Sequence, residues 1–178
     1  MSRAVLSIGS NLGDRLAHLR GVVDALGERV VAVSPVYTTA PWGGVEQDDF
    51  LNAVVVADDP ALDGYGWLRF GQALEQAAHR VREVRWGART LDVDVITCAV
   101  DGAEIASADP ELLLPHPQAH RRAFVLVPWR DVEPEASLPV DGARRPLTEL
   151  LAELPAVEVA GVRRTDLSLG DESVRSWN

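Results

Sequence analysis

The chain has 178 residues, with 17 basic and 27 acidic side chains and a formal net charge of −10. That length suits one domain, and the acidic balance excludes a global basic footprint for nucleic acid or an anionic membrane. A 47% hydrophobic and 25% charged composition excludes wholesale disorder, and the single Cys98 excludes an intramolecular disulfide or a cysteine-rich metal site. No apolar run approaches the ~20 residues of a bilayer span, and the apolar stretch after Met1 is too short for a signal peptide. The expectation is a cytoplasmic domain built from helices and strands.

In chain order, Ala4–Gly9 reads as a short apolar strand ended by Gly9-Ser10-Asn11. Asp14 is placed to cap a helix over Arg15–Leu26, whose Leu16, Leu19, Val22, Val23 and Leu26 share one face, with Gly27 as its stop. Val30–Thr38 is rich in β-formers but holds Pro35, which predicts an edge strand or bulge. A turn-rich loop runs from Thr39 to Asp49, and Phe50–Ala57 is the next strand, with Asn52 polar in an apolar run. Asp63 to Glu83 carries the longest helical pattern, with Trp67, Phe70, Leu74, Ala77, Ala78 and Val81 on its apolar face.

A second loop, Val84–Arg89, leads to a strand at Leu91–Val100, and Asp101-Gly102 predicts a hairpin into Glu104–Ala106. Leu112–Leu114, Pro115-His116-Pro117 and a helical stretch within Ala119–Trp129, interrupted at Pro128, come next. A short helix at Pro146–Leu154 and a strand at Val157–Val162 follow, and from Arg163 the polar terminus reads as loose. The β-α-β-β-α-β-β order predicts an α+β fold: a ferredoxin-like antiparallel sheet with helices packed on one face, plus a C-terminal extension. Residues 1–162 form a single domain on this reading, and 163–178 a tail.

The sharpest chemical signal is Asp92-Val93-Asp94. In a strand the two carboxylates share one face, their Cα atoms ~6.6 Å apart, while Leu91, Val93 and Val95 share the other. Carboxylates so spaced can hold hard cations, and Mg²⁺ suits them because it keeps waters and recruits phosphate oxygens. An isolated Asp-x-Asp is also what any half-buried strand with a wet face displays. Here, however, Arg80, Arg82, Arg85 and Arg89 crowd a ten-residue window holding one acid, Glu83, in a sequence without lysine. Metal-binding carboxylates beside planar guanidinium donors meet the needs of phosphoryl transfer. Arg80 and Arg82 also suit a helix C-terminus, so neither carries the reading alone.

The run Arg85-Trp-Gly-Ala-Arg-Thr-Leu-Asp-Val-Asp-Val-Ile96 resembles the signature of the 6-hydroxymethyl-7,8-dihydropterin pyrophosphokinases of folate biosynthesis. Gly9-Ser-Asn-Leu12, Tyr37-Thr-Thr39, Phe50-Leu-Asn52, Pro115-His116 and Arg122-Ala-Phe124 follow in that family's order and spacing, so the resemblance spans Ala4 to Trp129. It implies transfer of pyrophosphate from ATP to the hydroxymethyl group of a reduced pterin, leaving AMP. It further implies that Asp92 and Asp94 hold two Mg²⁺ ions, and that Arg80 and Arg89 act catalytically on the ATP phosphates. Gln72, Glu75, Arg82, Arg85, Trp86, His116 and Arg122 match ATP-side positions, and Thr39, Trp42, Phe50, Asn52 and Phe124 match pterin-side positions.

Departures from the family pattern fall mostly on the nucleotide side. Pro117 replaces a frequent tyrosine, Glu111 and Leu113 replace an arginine and a threonine, and the arginine loop is one residue shorter. The partners implied are ATP and a reduced pterin, with no nucleic acid, no membrane and a monomeric protein. Two other classes stand as alternatives: a non-catalytic ligand-binding module, and an RNA-binding sheet face using Phe50 and Phe124. The first has no use for metal-spaced carboxylates beside arginines, and the second meets phosphate repulsion from two acids on the same strand.

Overall fold

A computed structural model of the protein describes residues 1–40, 48–78 and 90–170. The expected helix from Asp63 is therefore followed only as far as Ala78. Trp42, Arg80, Arg82, Arg85, Trp86 and Arg89 lie outside the described residues.

Strand β1 (Ser2–Ser10) is buried along nearly its whole length, as a central strand must be. It pairs antiparallel with β4 (Phe50–Asp59) on one side and β5 (Asp92–Val100) on the other. Helix α1 (Arg15–Leu26) follows β1. The Asp14 carboxylate accepts the Ala17 N–H at 3.1 Å, and Gly27 ends the helix at φ 56°. Helix α2 (Gly64–Ala77) links β4 to β5 and is capped the same way by Asp63 on Gly66 N–H. Each βαβ unit is thus split by an antiparallel strand, the ferredoxin-like arrangement.

The Pro35 expectation resolves into two strands, β2 (Val30–Val33) and β3 (Tyr37–Thr39), both paired with β4. Proline supplies no N–H, and Ser34 bridges the break. Its N–H donates to Val54 O at 2.9 Å and its Oγ accepts the Val54 N–H at 2.9 Å. At the other margin Asp101 and Gly102, at φ 49° and 81°, turn the backbone from β5 into β6 (Ala103–Glu104). Short strands β7 (Ser107–Asp109) and β8 (Leu112–Leu114) pair with each other.

Strand β5 carries a bulge. Val5 faces Thr97 while Leu6 faces Val95, so Ile96 is an extra residue against β1. Val93 and Val95 before the bulge, and Cys98 after it, all enter one apolar core. Ile96 enters the other. Without the extra residue, simple alternation would send Cys98 toward the opposite layer.

Helices cover both faces of the sheet, which differs from the one-sided arrangement the element order suggested. On the first face Leu19, Val22 and Leu26 of α1 and Trp67 of α2 pack against Leu6, Ile8, Val55 and Val93. Trp67 is fully buried, its Nε1–H donating to Ser2 Oγ at 2.7 Å. The second face is covered by the elements that follow β8: α3 (Ala123–Val132), a hairpin of β9 (Ser137–Val140) and β10 (Ala143–Pro146), α4 (Leu147–Glu153) and α5 (Ala156–Ala160). Their Val125, Leu126, Trp129, Leu138, Leu147 and Leu150 enclose Val5, Val54, Val56 and Ile96. A sheet whose central strands are apolar on both sides requires such a second layer.

Three local expectations are corrected. Pro128 sits inside α3 without interrupting it; at the sixth helical position it removes one intrahelical bond, and burial of Val127, Pro128 and Trp129 holds the helix together. The segment Val157–Val162 is not a strand: Pro155 starts a helical turn through Ala160. Val159 and Val162, three apart, then pack on the second core while Val157 stays 78% exposed. Nor is the segment from Arg163 to Gly170 loose, while 171–178 lie outside the described residues. Arg163–Arg164 form β11 on the outer edge of β3, Thr165 N–H and Oγ–H both donate to Val36 O, and Leu169 is buried in the first core.

Candidate active site

The C-terminal end of β1 and the N-terminal ends of β4 and β5 meet at one end of the sheet, because these neighbours are antiparallel. A single lateral row crosses them: Arg164 opposite Tyr37, Tyr37 opposite Asn52, Asn52 opposite Gly9, and Gly9 opposite Asp92. One step inward, Val54, Ser7 and Asp94 form a row on the same face. Asp92 and Asp94 therefore stand together, half-buried, on the α3 side. Leu91, Val93 and Val95 fill the core behind them, the division that strand alternation anticipates.

Asn52 is held in place from two directions. Its Nδ2 donates to Thr39 Oγ1 at 2.6 Å in a buried bond, which aims Oδ1 toward Gly9. A Cβ built on Gly9 would stand 2.7 Å from that Oδ1, so only glycine leaves space for the amide. Phe50, two residues before Asn52 and on the same face, is half-buried. The approach to Phe50 is fixed by two backbone contacts: Asn11 Nδ2 donates to Asp48 O at 3.0 Å, and Arg15 Nη1 to Asp49 O at 2.9 Å. The sequence singled out Gly9-Ser-Asn-Leu12 without a role for it. Its visible function is to clear and brace the ground around Asn52 and Phe50.

Helix α3 brings the facing wall. Arg122, at its N-terminus, places Nη1 3.9 Å from Asp94 Oδ2 and its Cζ 5.6 Å from the centre of the Phe124 ring. Phe124 is half-buried beside it. His116 follows β8, and its N–H donates to Ile96 O at 2.8 Å, which fixes it against the edge of β5. Burial chiefly, and the Arg122 charge secondarily, push its imidazole from 6.5 down to about 4. Its Nδ1 accepts the Gln118 N–H at 3.1 Å, so the neutral ring carries its proton on Nε2 and presents a donor there.

A pH dependence of stability follows. The folded imidazole titrates below its unfolded value of 6.5, so the unfolded state binds the extra proton in that interval. His116 thus costs nothing above pH 6.5 and subtracts stability progressively as the pH falls toward about 4. His116→Gln is expected to flatten the slope of unfolding free energy in that window, measured by urea unfolding between neutral and acid pH. Parallel curves for the two proteins would contradict it.

Gln72 and Glu75 are not gathered with the aspartates. They lie on α2, which packs on the opposite face. A Cβ on Gly71 would come 2.9 Å from Val93 Cγ1, showing how closely that helix approaches β5. Gln72 is exposed and Glu75, one turn beyond Gly71, is buried. These two residues can reach a ligand shared with Asp92 and Asp94 only around the margin of β5. There β6 pairs with Ala99 and Val100 alone. Arg80, Arg82, Arg85, Trp86, Arg89 and Trp42 remain outside the described residues.

Among the described residues no group of three or more His, Cys, Asp or Glu side chains is positioned to hold a metal. Two half-exposed carboxylates are an incomplete oxygen set. That suits a cation taking its other ligands from water and phosphate, and does not suit a structural metal. No helix among the described residues is long and apolar enough to cross a membrane.

A protein-family model described as 7,8-dihydro-6-hydroxymethylpterin-pyrophosphokinase (HPPK) matches residues 5–134. A 2-amino-4-hydroxy-6-hydroxymethyldihydropteridine pyrophosphokinase of Mycobacterium leprae is 58% identical over 175 residues, 95% of this chain and 92% of the relative. One of the same name from Mycobacterium tuberculosis is 55% identical over 168 residues, covering 92% and 89%. Among solved structures, wild-type Plasmodium falciparum HPPK-DHPS superposes with a TM-score of 0.58 at 14% identity, over 85% of this chain. This chain spans only 44% of that protein, and the likeness there is one of fold. With the family match covering most of the residues that build both walls of the site, the chain belongs to the 7,8-dihydro-6-hydroxymethylpterin-pyrophosphokinase family.

Proposed function

We propose that this site transfers the pyrophosphoryl group of ATP to 6-hydroxymethyl-7,8-dihydropterin in folate biosynthesis. The hydroxymethyl hydroxyl gives up its proton to solvent as its oxygen bonds to the β-phosphorus, the bond from that phosphorus to the α-phosphate bridging oxygen breaks, and AMP leaves. Family membership supports the reaction. The observation that carries the reading for this protein is the row joining Asn52 to Asp92 through a glycine, with Asp94 one step away facing Arg122. It sets a hydrogen-bonding amide for a flat ring two strands from a pair of carboxylates.

On this reading Thr39, Trp42, Phe50, Asn52 and Phe124 bind the pterin. The two phenylalanines offer faces for the ring and Asn52 meets its polar edge. Arg80 and Arg89 act on the transferring phosphates, while Gln72, Glu75, Arg82, Arg85, Trp86, His116 and Arg122 bind ATP. His116 donates from Nε2 without adding charge, and Arg122 can exchange Asp94 for a phosphate oxygen. Asp92 and Asp94 would hold two Mg²⁺ ions. When bound, the metal neutralises phosphate charge and polarises the phosphorus centre. Positioning the hydroxyl and excluding water fall to the protein walls. The domain extends past Val162 to take in β11 and the buried Leu169, and on this reading it acts as a monomer and works in the cytoplasm.

The test is a nucleotide assay on the purified protein with ATP, Mg²⁺ and the dihydropterin, resolving AMP from ADP. AMP that forms only with pterin present is the expected result. ADP would indicate single phosphoryl transfer, and neither product from folded protein would leave a binding module.

A further inference from the structure

Helix α3 is tied to the sheet at both ends, and only one tie belongs to the site. At its N-terminus Arg122 meets Asp94 on β5. In its last turn Asp131 accepts a hydrogen bond from the Tyr37 hydroxyl on β3. From Arg122 to Asp131 the helix rises about 13.5 Å over nine residues. The three interstrand gaps from β5 through β1 and β4 to β3 span about 14 Å. The helix therefore lies across the sheet, pinned at the two strands that bound the site.

The Tyr37 ring is buried in the second core, and its hydroxyl reaches the surface where Asp131 is exposed. Burial first, then the Asp131 carboxylate, push the phenol up to about 12, so it remains the donor under ordinary conditions. Arg130 and Arg164 stand near enough to favour a negative charge there. Tyr37 also pairs directly with Asn52 and lies two residues before Thr39, which holds the Asn52 amide.

We infer that Tyr37 and Asp131 are a positioning pair for the pterin subsite, fixing the wall that carries Phe124 against the strand that carries Thr39 and Asn52. The inference rests on the pterin reading above. It matters most when Arg122 leaves Asp94 for the nucleotide and Asp94 engages metal, because among the described residues the Tyr37–Asp131 bond is then the side-chain polar tie still joining α3 to the sheet. Neither residue touches a substrate; they act through Thr39, Asn52 and Phe124.

Tyr37→Phe keeps the ring in the core and deletes only the donor. Calorimetry on the full-length protein, with a non-hydrolysable ATP analogue titrated first and the dihydropterin second, separates the two affinities. The expected result is pterin binding weakened about fivefold and the pterin KM raised in step. The analogue's Kd and kcat at saturating pterin should stay within about twofold of wild type. Asp131 is exposed, so its variants keep the fold even where Tyr37→Phe does not. Asp131→Ala should reproduce the loss, and Asp131→Asn, which retains an acceptor, should recover most of it. Unchanged pterin affinity in Asp131→Ala, or parallel loss of pterin and analogue binding, would overturn the pair's role. Wild-type protein that binds the analogue but no pterin would instead overturn the functional reading, and this inference with it.

Discussion

Asp94→Ala is expected to lower pterin-dependent AMP formation by about a thousandfold or more while the protein stays folded. Loss of a carboxylate that holds metal at a transferring phosphoryl group removes several kcal/mol of transition-state stabilisation, and each ~1.4 kcal/mol is a factor of ten. The fold should tolerate the change. The Asp94 side chain is 43% exposed, and its pair with Arg122, at 3.9 Å, is too long and too wet to contribute much to stability. The core behind it, made by Val93 and Val95, is untouched. Circular dichroism and a melting curve establish folding, and AMP release across a Mg²⁺ titration supplies the readout. Full turnover with an unaltered Mg²⁺ dependence would remove Asp94 from the metal assignment.

Gly9→Ala tests the other half of the site. The added methyl would stand 2.7 Å from Asn52 Oδ1. The β1 backbone cannot retreat, because it is paired on both sides. The Asn52 amide must therefore turn, breaking its 2.6 Å bond to Thr39. Pterin affinity is expected to fall about a hundredfold, the scale of a misplaced recognition group, with a stability loss of roughly 1–3 kcal/mol from overpacking. Binding of an ATP analogue should be unaffected. The double variant Gly9→Ala with Asn52→Ala separates the two effects: the overpacking cost is relieved, so stability no longer falls below that of Asn52→Ala alone, and pterin affinity stays low because the amide is gone. Wild-type pterin affinity in folded Gly9→Ala would show that the Asn52 geometry does not matter to recognition.

The features legible in the sequence share a short range. Asp14 and the Leu19–Val22–Leu26 face define α1 within a dozen residues. The alternation of Leu91, Asp92, Val93, Asp94 and Val95 assigns each side chain to its face, as the structure has it. Burial of Trp67 follows from its place on the apolar face of the second helical pattern. Misreadings arose where local pattern and tertiary context compete. Val157-Glu-Val159 alternates like a strand, yet Pro155 and the packing of Val159 and Val162 make it a helix. Pro128 ordinarily breaks a helix and here is carried by its buried neighbours.

What determines the site geometry is long-range and left no local signature. The Thr39–Asn52 bond, the space at Gly9 and the Tyr37–Asp131 tie each depend on which strands and helices become neighbours. The second helical layer was illegible for the same reason. Its hairpin over Ser137–Pro146 turns at Asp141 and Gly142, both at positive φ, but nothing local says which sheet face it will cover.

The extra residue at Ile96 has a consequence for how this strand can vary. Upstream of it even-numbered side chains face α3; downstream the parity is reversed, so that Cys98 faces the helices of the first layer. The strand behaves as two rulers joined out of phase, one reading toward the chemistry and one toward the scaffold. Exchanging one apolar residue for another near the joint alters volume alone. Losing or gaining a residue there would turn one ruler over, and either the carboxylates or the core side chains would end on the wrong side. Identity can drift in this strand, but its length is quantised.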